Sequence, residues 1–251
     1  MNKEEKFLES RILELAQRCY QKNIYTYSDF LNLNEQNILN SFINKLPPVN
    51  FELTGGNVYA ERKIVAFIPE FAGYEENLPI EIIKIAPLNF KFSDKLSHRD
   101  YLGAILNLGI DRAKIGDIIV KNDVAYVYAI EGIVSFITEN LTRIKHTSVM
   151  CEVYPLSDID TTPEMAEVRG TVQSVRLDSV ISLAFGTSRS SIVGNIEEGR
   201  VFVNGKLITS NGYQVKEGDI VSVRGIGRCR YDENLGVTKK GRNLIKISKY
   251  V

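Results

Sequence analysis

The sequence predicts an α+β chain in three parts: a small helical and hairpin N-terminal domain over residues 1–74, a β-α-β-β-α-β middle domain over 75–156, and a compact basic domain over 171–251, with 157–170 as linker. Three observations predict it. Apolar residues recur at helical spacing in some stretches and crowd into short runs bounded by Gly, Pro, Asn and Asp in others, so both helices and strands are encoded. In the middle of the chain these stretches follow one another in the order of a split βαβ unit. The last third differs in charge: residues 171–251 hold 13 Lys and Arg against 7 Asp and Glu, while residues 1–170 hold 18 against 24. The formal net charge of zero conceals this asymmetry, which hints at a polyanionic partner for the basic part.

The N-terminal part opens with a helix near 3–21, because Leu8, Ile12, Leu15, Ala16 and Cys19 share one face. Thr26-x-x-Asp29 has the form of a capping box before Phe30-Leu31. Asn34 is read as the N-cap of a helix burying Leu39, Phe42, Ile43 and Leu46, stopped by Pro47-Pro48. Residues 51–53 and 63–68 read as strands, with Gly55-Gly56-Asn57 as turn chemistry between them.

The middle part starts with a strand at 80–85, bounded by Pro79 and Pro87. Ser97, with Asp100 three residues on, caps a helix that buries Leu102, Ile105 and Leu106 and ends at Gly109. Residues 117–120 and 124–130 form a hairpin around Lys121-Asn122-Asp123. Val134, Ile137, Leu141 and Ile144 mark a second helix, and 148–154 a last strand. The sum is a ferredoxin-like, RRM-like arrangement. Tyr126 and Tyr128 share a strand face, where RRM domains stack bases, but the rest of that signature is missing, so packing against a neighbouring domain is the better reading. The best linker lies at 156–167, with Asp158, Asp160, Thr161, Thr162 and Pro163.

In the basic part Leu177, Val180, Ile181 and Ala184 lie on one helical face ended by Gly186. Ser188 caps a second helix carrying Ile192, Val193 and Ile196, closed by Gly199. Strands follow at 200–203 and 220–224, with Asn204-Gly205 as a hairpin turn and Gly218-Asp219 as the second entry. The tail interleaves Arg224, Arg228, Arg230, Lys239, Lys240, Arg242, Lys246 and Lys249 with Gly225, Gly227, Gly236 and Gly241, which suggests turns presenting cations.

Composition excludes several classes. Hydrophobic content of 44% with 25% charged residues is that of a folded globular chain rather than a disordered one. The longest aliphatic and aromatic run, 64–68, is far short of the ~20 residues that span a bilayer. The charged opening residues do not resemble a signal peptide. Cys19, Cys151 and Cys229 are far apart with no C-x-x-C, which argues against a disulfide framework or zinc site and makes a reducing cytoplasm the simplest home. With only His98 and His146, a His-rich metal site is excluded, and neither metal nor cofactor is expected.

The segments Arg176-Leu177-Asp178-x-x-Ile181-x-Leu183, Ser188-Arg189-Ser190, Val201-x-Val203-Asn204-Gly205-Lys206 and Gly218-Asp219-x-Val221 together resemble the alpha-L RNA-binding motif, the domain first named for the small-subunit ribosomal protein S-four. The chemistry suits that likeness. Free backbone N–H groups at helix entrances attract phosphate, Ser188 and Ser190 can donate hydroxyls, and Arg189 can grip a phosphate bidentately. The RNA contacts it suggests are Arg176, Asp178, Ser188, Arg189, Ser190, Asn204 and Lys206, with Arg224, Arg228 and Arg230 as electrostatic support. Taken singly, Ser188 may equally be a cap, Asn204-Gly205 a turn, and Asp178 a partner for Arg176.

Gly55-Gly56-x-x-x-Ala60-Glu61-Arg62-Lys63 and His98-Arg99-Asp100-x-Leu102-Gly103-Ala104, followed by Leu108-Gly109-x-x-Arg112-x-x-x-Gly116-Asp117, extend the resemblance to bacterial YlmH-type proteins over nearly the whole chain. That resemblance implies a cytoplasmic protein binding rRNA or tRNA on the large ribosomal subunit, in ribosome-associated quality control. Arg99 and Arg112 are candidates for a second RNA contact, although a cap or buried ion pair is the competing reading of His98-Arg99-Asp100. The acidic residues 1–170 are alternatively a docking module for a protein partner.

Enzyme readings are weaker. Arg176-Leu177-Asp178 resembles the R-L-D of pseudouridine synthases, but Ser179-Val180-Ile181-Ser182 follows, and there is no room for their catalytic domain. Gly194-x-x-x-x-Gly199-Arg200 lacks the Lys-Ser/Thr of a P-loop, and no G-x-G-x-x-G opens a helix after a strand as a methyltransferase would require. The alternative that survives is an RNA-modifying enzyme, pseudouridine synthase-like or a methyltransferase, which uses the C-terminal domain for substrate docking.

Overall fold

The computed structural model describes residues 3–71, 77–155, 159, 162 and 164–250. The chain is α+β and divides into two compact units, Met1–Thr161 and Thr162–Val251. The expected boundary at 74/75 and residues 157, 158, 160, 161 and 163 of the expected linker lie outside the described residues.

In the first unit, α1 (Lys3–Lys22) packs Ile12, Ala16 and Cys19 against α2 (Leu33–Phe42) and a three-stranded sheet of β1 (Thr26–Tyr27), β2 (Asn50–Thr54) and β3 (Ile64–Ile68), in the order β1-β3-β2. Two expectations fail here. Thr26 caps no helix: it pairs with Phe67 in the sheet, and its hydroxyl donates to Leu15 O at 2.9 Å. The N-cap of α2 is Asn32 rather than Asn34, because Asn32 Oδ1 accepts from the Asn34 and Glu35 amides while the Glu35 carboxylate accepts from Asn32 N.

The middle part contains β4 (Ile80–Pro87), α3 (His98–Leu106), β5 (Ile115–Lys121), β6 (Val124–Ile130), α4 (Val134–Asn140), β7 (Arg143–Ile144) and β8 (Thr147–Tyr154). Its antiparallel sheet runs β5-β6-β4-β8-β7, the strand order of a ferredoxin-like domain with a short edge ribbon added. Ser97 and Asp100 form the expected capping box of α3, but the side chain that α3 buries completely beside Ile105 is Tyr101. Ile144, read as helical, lies in β7, since α4 stops at Asn140. The β5–β6 turn places Asn122 and Asp123 at φ 51° and 61°, the left-handed pair of a type I′ hairpin.

The central strands of this sheet are buried on both faces. Ile83, Ile85, Ala125, Val127 and Ala129 pack under α3 and α4. On the other face Ile80, Ile82 and Tyr128 pack with Phe30 and Ile64 from the N-terminal part, and Tyr126 meets Tyr154 edge-on at 5.2 Å. The two-sided burial explains why β4 reads almost continuously apolar instead of alternating. It also decides between the readings of Tyr128, which is fully buried in packing.

The Gly- and Arg-containing motifs build the seam between these two parts. Asp117 accepts the Glu61 and Arg62 amides at 2.7 and 3.2 Å. The Arg62 guanidinium donates to Ile115 O and Phe30 O, both at 2.9 Å. Arg112 donates to Ile115 O and Gly116 O. Burial, with the Arg62 charge alongside, brings Arg112 down to about 10. Arg112 is thus structural and is withdrawn as an RNA contact. Gly116 is required because a Cβ there would sit 2.7 Å from the Phe30 ring.

The second unit contains β9 (Met165–Val172), α5 (Leu177–Phe185), α6 (Arg189–Glu197), β10 (Val201–Val203), β11 (Lys206–Leu207), β12 (Ile220–Val223), β13 (Gly227–Val237) and β14 (Asn243–Tyr250). Its six-stranded sheet runs β11-β10-β12-β13-β14-β9. Residues 165–170, read as linker, are strand: β9 pairs with β14 from Asn243↔Val172 to Tyr250↔Met165 and zips the start of the unit to its end. The unit therefore begins at Thr162 rather than 171, which adds Glu164, Glu167 and Arg169 and leaves an excess of about five positive charges. The tail is a long β13–β14 hairpin rather than a string of turns. One sheet face packs Val201, Val203, Val221, Val223, Cys229, Tyr231, Ile245 and Ile247 against Leu177, Val180, Ile181, Ile192 and Ile196 of the two helices. Burial pushes the Cys229 thiol up to about 12.

Gly116→Ala should destabilise the chain by about 1–3 kcal/mol through the forced displacement of Phe30. Urea unfolding reads this directly, and an unchanged midpoint would contradict the seam described here.

Candidate nucleic-acid interface

The entrances of α5 and α6 are tied together by one buried carboxylate. Asp178, 5% exposed in the first turn of α5, accepts from Ser179 N at 2.9 Å and from Arg189 Nη2 at 3.0 Å. Arg189, the first residue of α6, also reaches Ser179 Oγ at 2.5 Å. Arg176, the N-cap of α5, brings its Nε to 3.6 Å from Asp178 Oδ1. Two arginines from two helix starts thus face one carboxylate that water barely reaches, Arg189 by a hydrogen bond and Arg176 as an ion pair. Such a carboxylate orients the cations without leaving itself exposed to repel a phosphate.

Arg189 nonetheless stays half exposed, and among the described residues only its Nη2 is engaged by side chains of the protein. It lines a cleft of about 390 Å³ together with Arg242, Gln173, Ser182 and Thr187. Arg242 is held there by donating to Thr171 O at 2.7 Å. Gly186 ends α5 beside this cleft with φ 63°, a conformation that lets the chain turn directly into α6. Ser188 caps α6 by accepting from Ser191 N, and its Oγ lies 3.1 Å from Ser190 Oγ. The cleft can therefore offer two guanidiniums and the exposed Thr171 hydroxyl to an anionic oxygen, with Ser188 and Ser190 at the neighbouring entrance of α6.

The suggested residues divide into groups. Arg176, Ser188, Arg189 and Ser190 gather at the helix entrances. Asp178 is withdrawn from direct contact because it is buried and spent on its neighbours. Asn204 is withdrawn too: its amide nitrogen donates to Asp219 at 2.8 Å and its oxygen accepts from Ile220 N at 2.9 Å, so its side chain ties the hairpin to β12. Lys206 stands exposed on the edge strand β11.

Arg224, Arg228 and Arg230 do not join the helix-entrance cluster. β12 and β13 turn Val221, Val223, Cys229 and Tyr231 toward α5 and α6, so Arg228 and Arg230, which alternate with the last two, face the other side of the sheet, as does Arg224 in the turn after β12. There Arg224 covers the Phe202 ring at 4.9 Å, Arg228 covers Tyr250 at 5.7 Å, and Arg230 pairs with Asp232 at 2.7 Å. Arg242 is the residue missing from the sequence-derived set. It enters the cleft only because β14 pairs with β9, a pairing with no short-range signature.

Asp178→Ala should cost about 1–3 kcal/mol, since it leaves Arg189 and Ser179 without their buried acceptor. Arg189→Ala, at a half-exposed position, should cost less. Equal unfolding midpoints for Asp178→Ala and the parent chain would remove the carboxylate from this role.

Comparison with known proteins agrees with this architecture. Residues 74–158 match the family described as "Putative RNA-binding domain in YlmH", and residues 175–221 match the S4 domain. A protein of Bacillus subtilis (strain 168) named "Ribosome-associated protein quality control protein P2" is 31% identical over 244 residues, which covers 96% of this chain and 93% of that one. The solved structure named "Cell division protein ylmH from Streptococcus pneumoniae" aligns with a TM-score of 0.53 at 18% identity, over 64% of this chain and 97% of that one, and at that identity it speaks to the fold alone. On the identity that runs through nearly its whole length, and on the two domain matches in chain order, the chain belongs to the YlmH family, with an S4 (alpha-L) domain at its C-terminus.

Proposed function

We propose that this chain is a non-catalytic RNA-binding protein of the translation machinery, which docks on the large ribosomal subunit and grips rRNA or tRNA phosphates in the cleft at the entrances of α5 and α6. The carrying observation is that Arg189 and Arg242, distant in sequence, line one cleft while Asp178 is buried behind Arg189. Arg176, Ser188 and Ser190 extend the contact along the two helix entrances, whereas Lys206, on β11 at the sheet edge opposite β9, stands apart from the cleft. Backbone contacts of this kind recognise the shape and charge of folded RNA rather than its sequence.

The name of the Bacillus subtilis relative supports a ribosomal setting, and hence the cytoplasm, with a role in quality control of translation. The positive excess of Thr162–Val251 supports the same reading, since it favours encounter with a polyanion over distances of about a Debye length.

Co-sedimentation with purified large ribosomal subunits over a salt series tests the proposal. Arg189→Ala and Arg242→Ala should each weaken binding, and each should flatten the dependence of log affinity on log salt by roughly one unit or less. Variants that sediment like the parent chain at every salt concentration would defeat the assignment of the cleft.

A further inference from the structure

We propose that RNA meets the middle domain, whose family match is described as RNA-binding, at the cleft between α3 and the α4–β7 turn, where Arg99, Arg143 and Lys145 take the sugar-phosphate backbone. This rests on the reading of the chain as an RNA-binding protein and adds a second, separate contact surface to it.

The first argument is exclusion. A ferredoxin-like domain of the RRM type receives RNA on its open sheet face, where aromatic side chains stack bases. Here the centre of that face is closed: Ile80, Ile82 and Tyr128 are buried with Phe30 and Ile64. Tyr126 and Tyr154 are turned on one another. At the margin of the face Lys84 is neutralised by Glu152 at 2.6 Å. The centre of the stacking platform is thus closed to a base. The family match over residues 74–158 nevertheless carries an RNA-binding description. If that description applies here, the contact needs another face.

The second argument is the chemistry of the opposite side. A cleft of about 440 Å³ opens there, lined by Arg99, Asn107, Asn140, Thr142, Arg143 and Lys145, with Asp100 as its acidic member. Asp100 is already spoken for: its Oδ1 pairs with Lys145 at 2.7 Å, and its Oδ2 accepts from Ser97 N and Ser97 Oγ. The cleft therefore keeps the net charge of two further cations. Arg99 and Arg143 are exposed. Lys145 adopts φ 52°, and its carbonyl accepts from Arg143 Nε at 2.9 Å, so the tight turn holds both side chains at the rim. Gly103 also lines the cleft, and no atom lies within 4 Å of the point where its Cβ would stand, which leaves room for a close approach by a ligand backbone.

Amides, a hydroxyl and cations with no aromatic ring define the ligand. They suit phosphate and ribose oxygens and offer no base a stacking partner. Binding here should be sensitive to salt and indifferent to sequence.

The test uses the full chain and rRNA extracted from large subunits, with affinity read by fluorescence anisotropy over a salt series. The parent chain is compared with Arg99→Ala/Arg143→Ala and Arg189→Ala/Arg242→Ala, as well as with all four changes together. Both double variants are expected to lose roughly tenfold in affinity, and the fourfold variant more than either. Thr142→Glu keeps every cation, places a carboxylate at the cleft, and should lose a similar amount; it serves if the arginine variants fold poorly. A middle-domain double variant and a Thr142→Glu chain that both bind like the parent, while the C-terminal double variant weakens, would overturn this inference and leave the proposed function standing. Loss of binding to intact subunits with unchanged binding to rRNA would make the cleft a protein-docking surface, which overturns it equally. A parent chain that does not bind rRNA at all would overturn both readings.

Discussion

The C-terminal site depends on a carboxylate that the solvent does not see. Asp178 is buried in the first turn of α5, and its two oxygens organise the start of both helices. An exposed acid beside Arg189 would repel the phosphate that Arg189 is suited to hold. A buried one, fully occupied by donors, instead limits the rotamers of the arginine and so lowers the entropy lost when an anion binds. Gly186, Ser188 and Asn204 serve the same end: each uses a special conformation or an internal hydrogen bond to hold the backbone of the module in place.

The first unit shows a different use of charge. Asp117, Arg62 and Arg112 are spent on backbone amides and carbonyls at the seam between the N-terminal helices and the middle sheet. Those bonds compensate for polar groups that the packing of Phe30 onto Gly116 takes out of water. The consequence for function is geometric. Once Tyr128 and its neighbours are covered, the centre of the sheet face usual for RNA in such domains is closed, while Arg99, Arg143 and Lys145 stay exposed on the helical side.

Local signals made much of this legible. The helix of residues 3–22, the Ser97–Asp100 box, the Asn122-Asp123 turn and the caps at Gly186 and Ser188 are each written within a few residues, where sterics and hydrogen bonding act directly. The errors share a cause. Thr26-x-x-Asp29 has the composition of a cap, but a tertiary strand pairing claims it. Residues 165–170 follow an acidic, Thr- and Pro-containing stretch and read as its continuation, yet β14, 75–85 residues further on, gives them a partner. Arg242 reaches the cleft through that same pairing, and Arg228 and Arg230 are turned away from it by the alternation of β13, a stretch whose interleaved glycines suggest turns. Asp178 and Asn204 illustrate a further limit: composition marks a residue as polar but does not tell whether its polar atoms face RNA or the protein's own backbone.

The most direct test of the central claim is a structure of the chain bound to the large ribosomal subunit. The account predicts an RNA phosphate within about 2.7–3.2 Å of Arg189 nitrogens at the joint entrance of α5 and α6, with Asp178 still behind the arginine. RNA seated only on the opposite sheet face, across Phe202, Arg228 and Tyr250, with Arg189 facing bulk water, would contradict it.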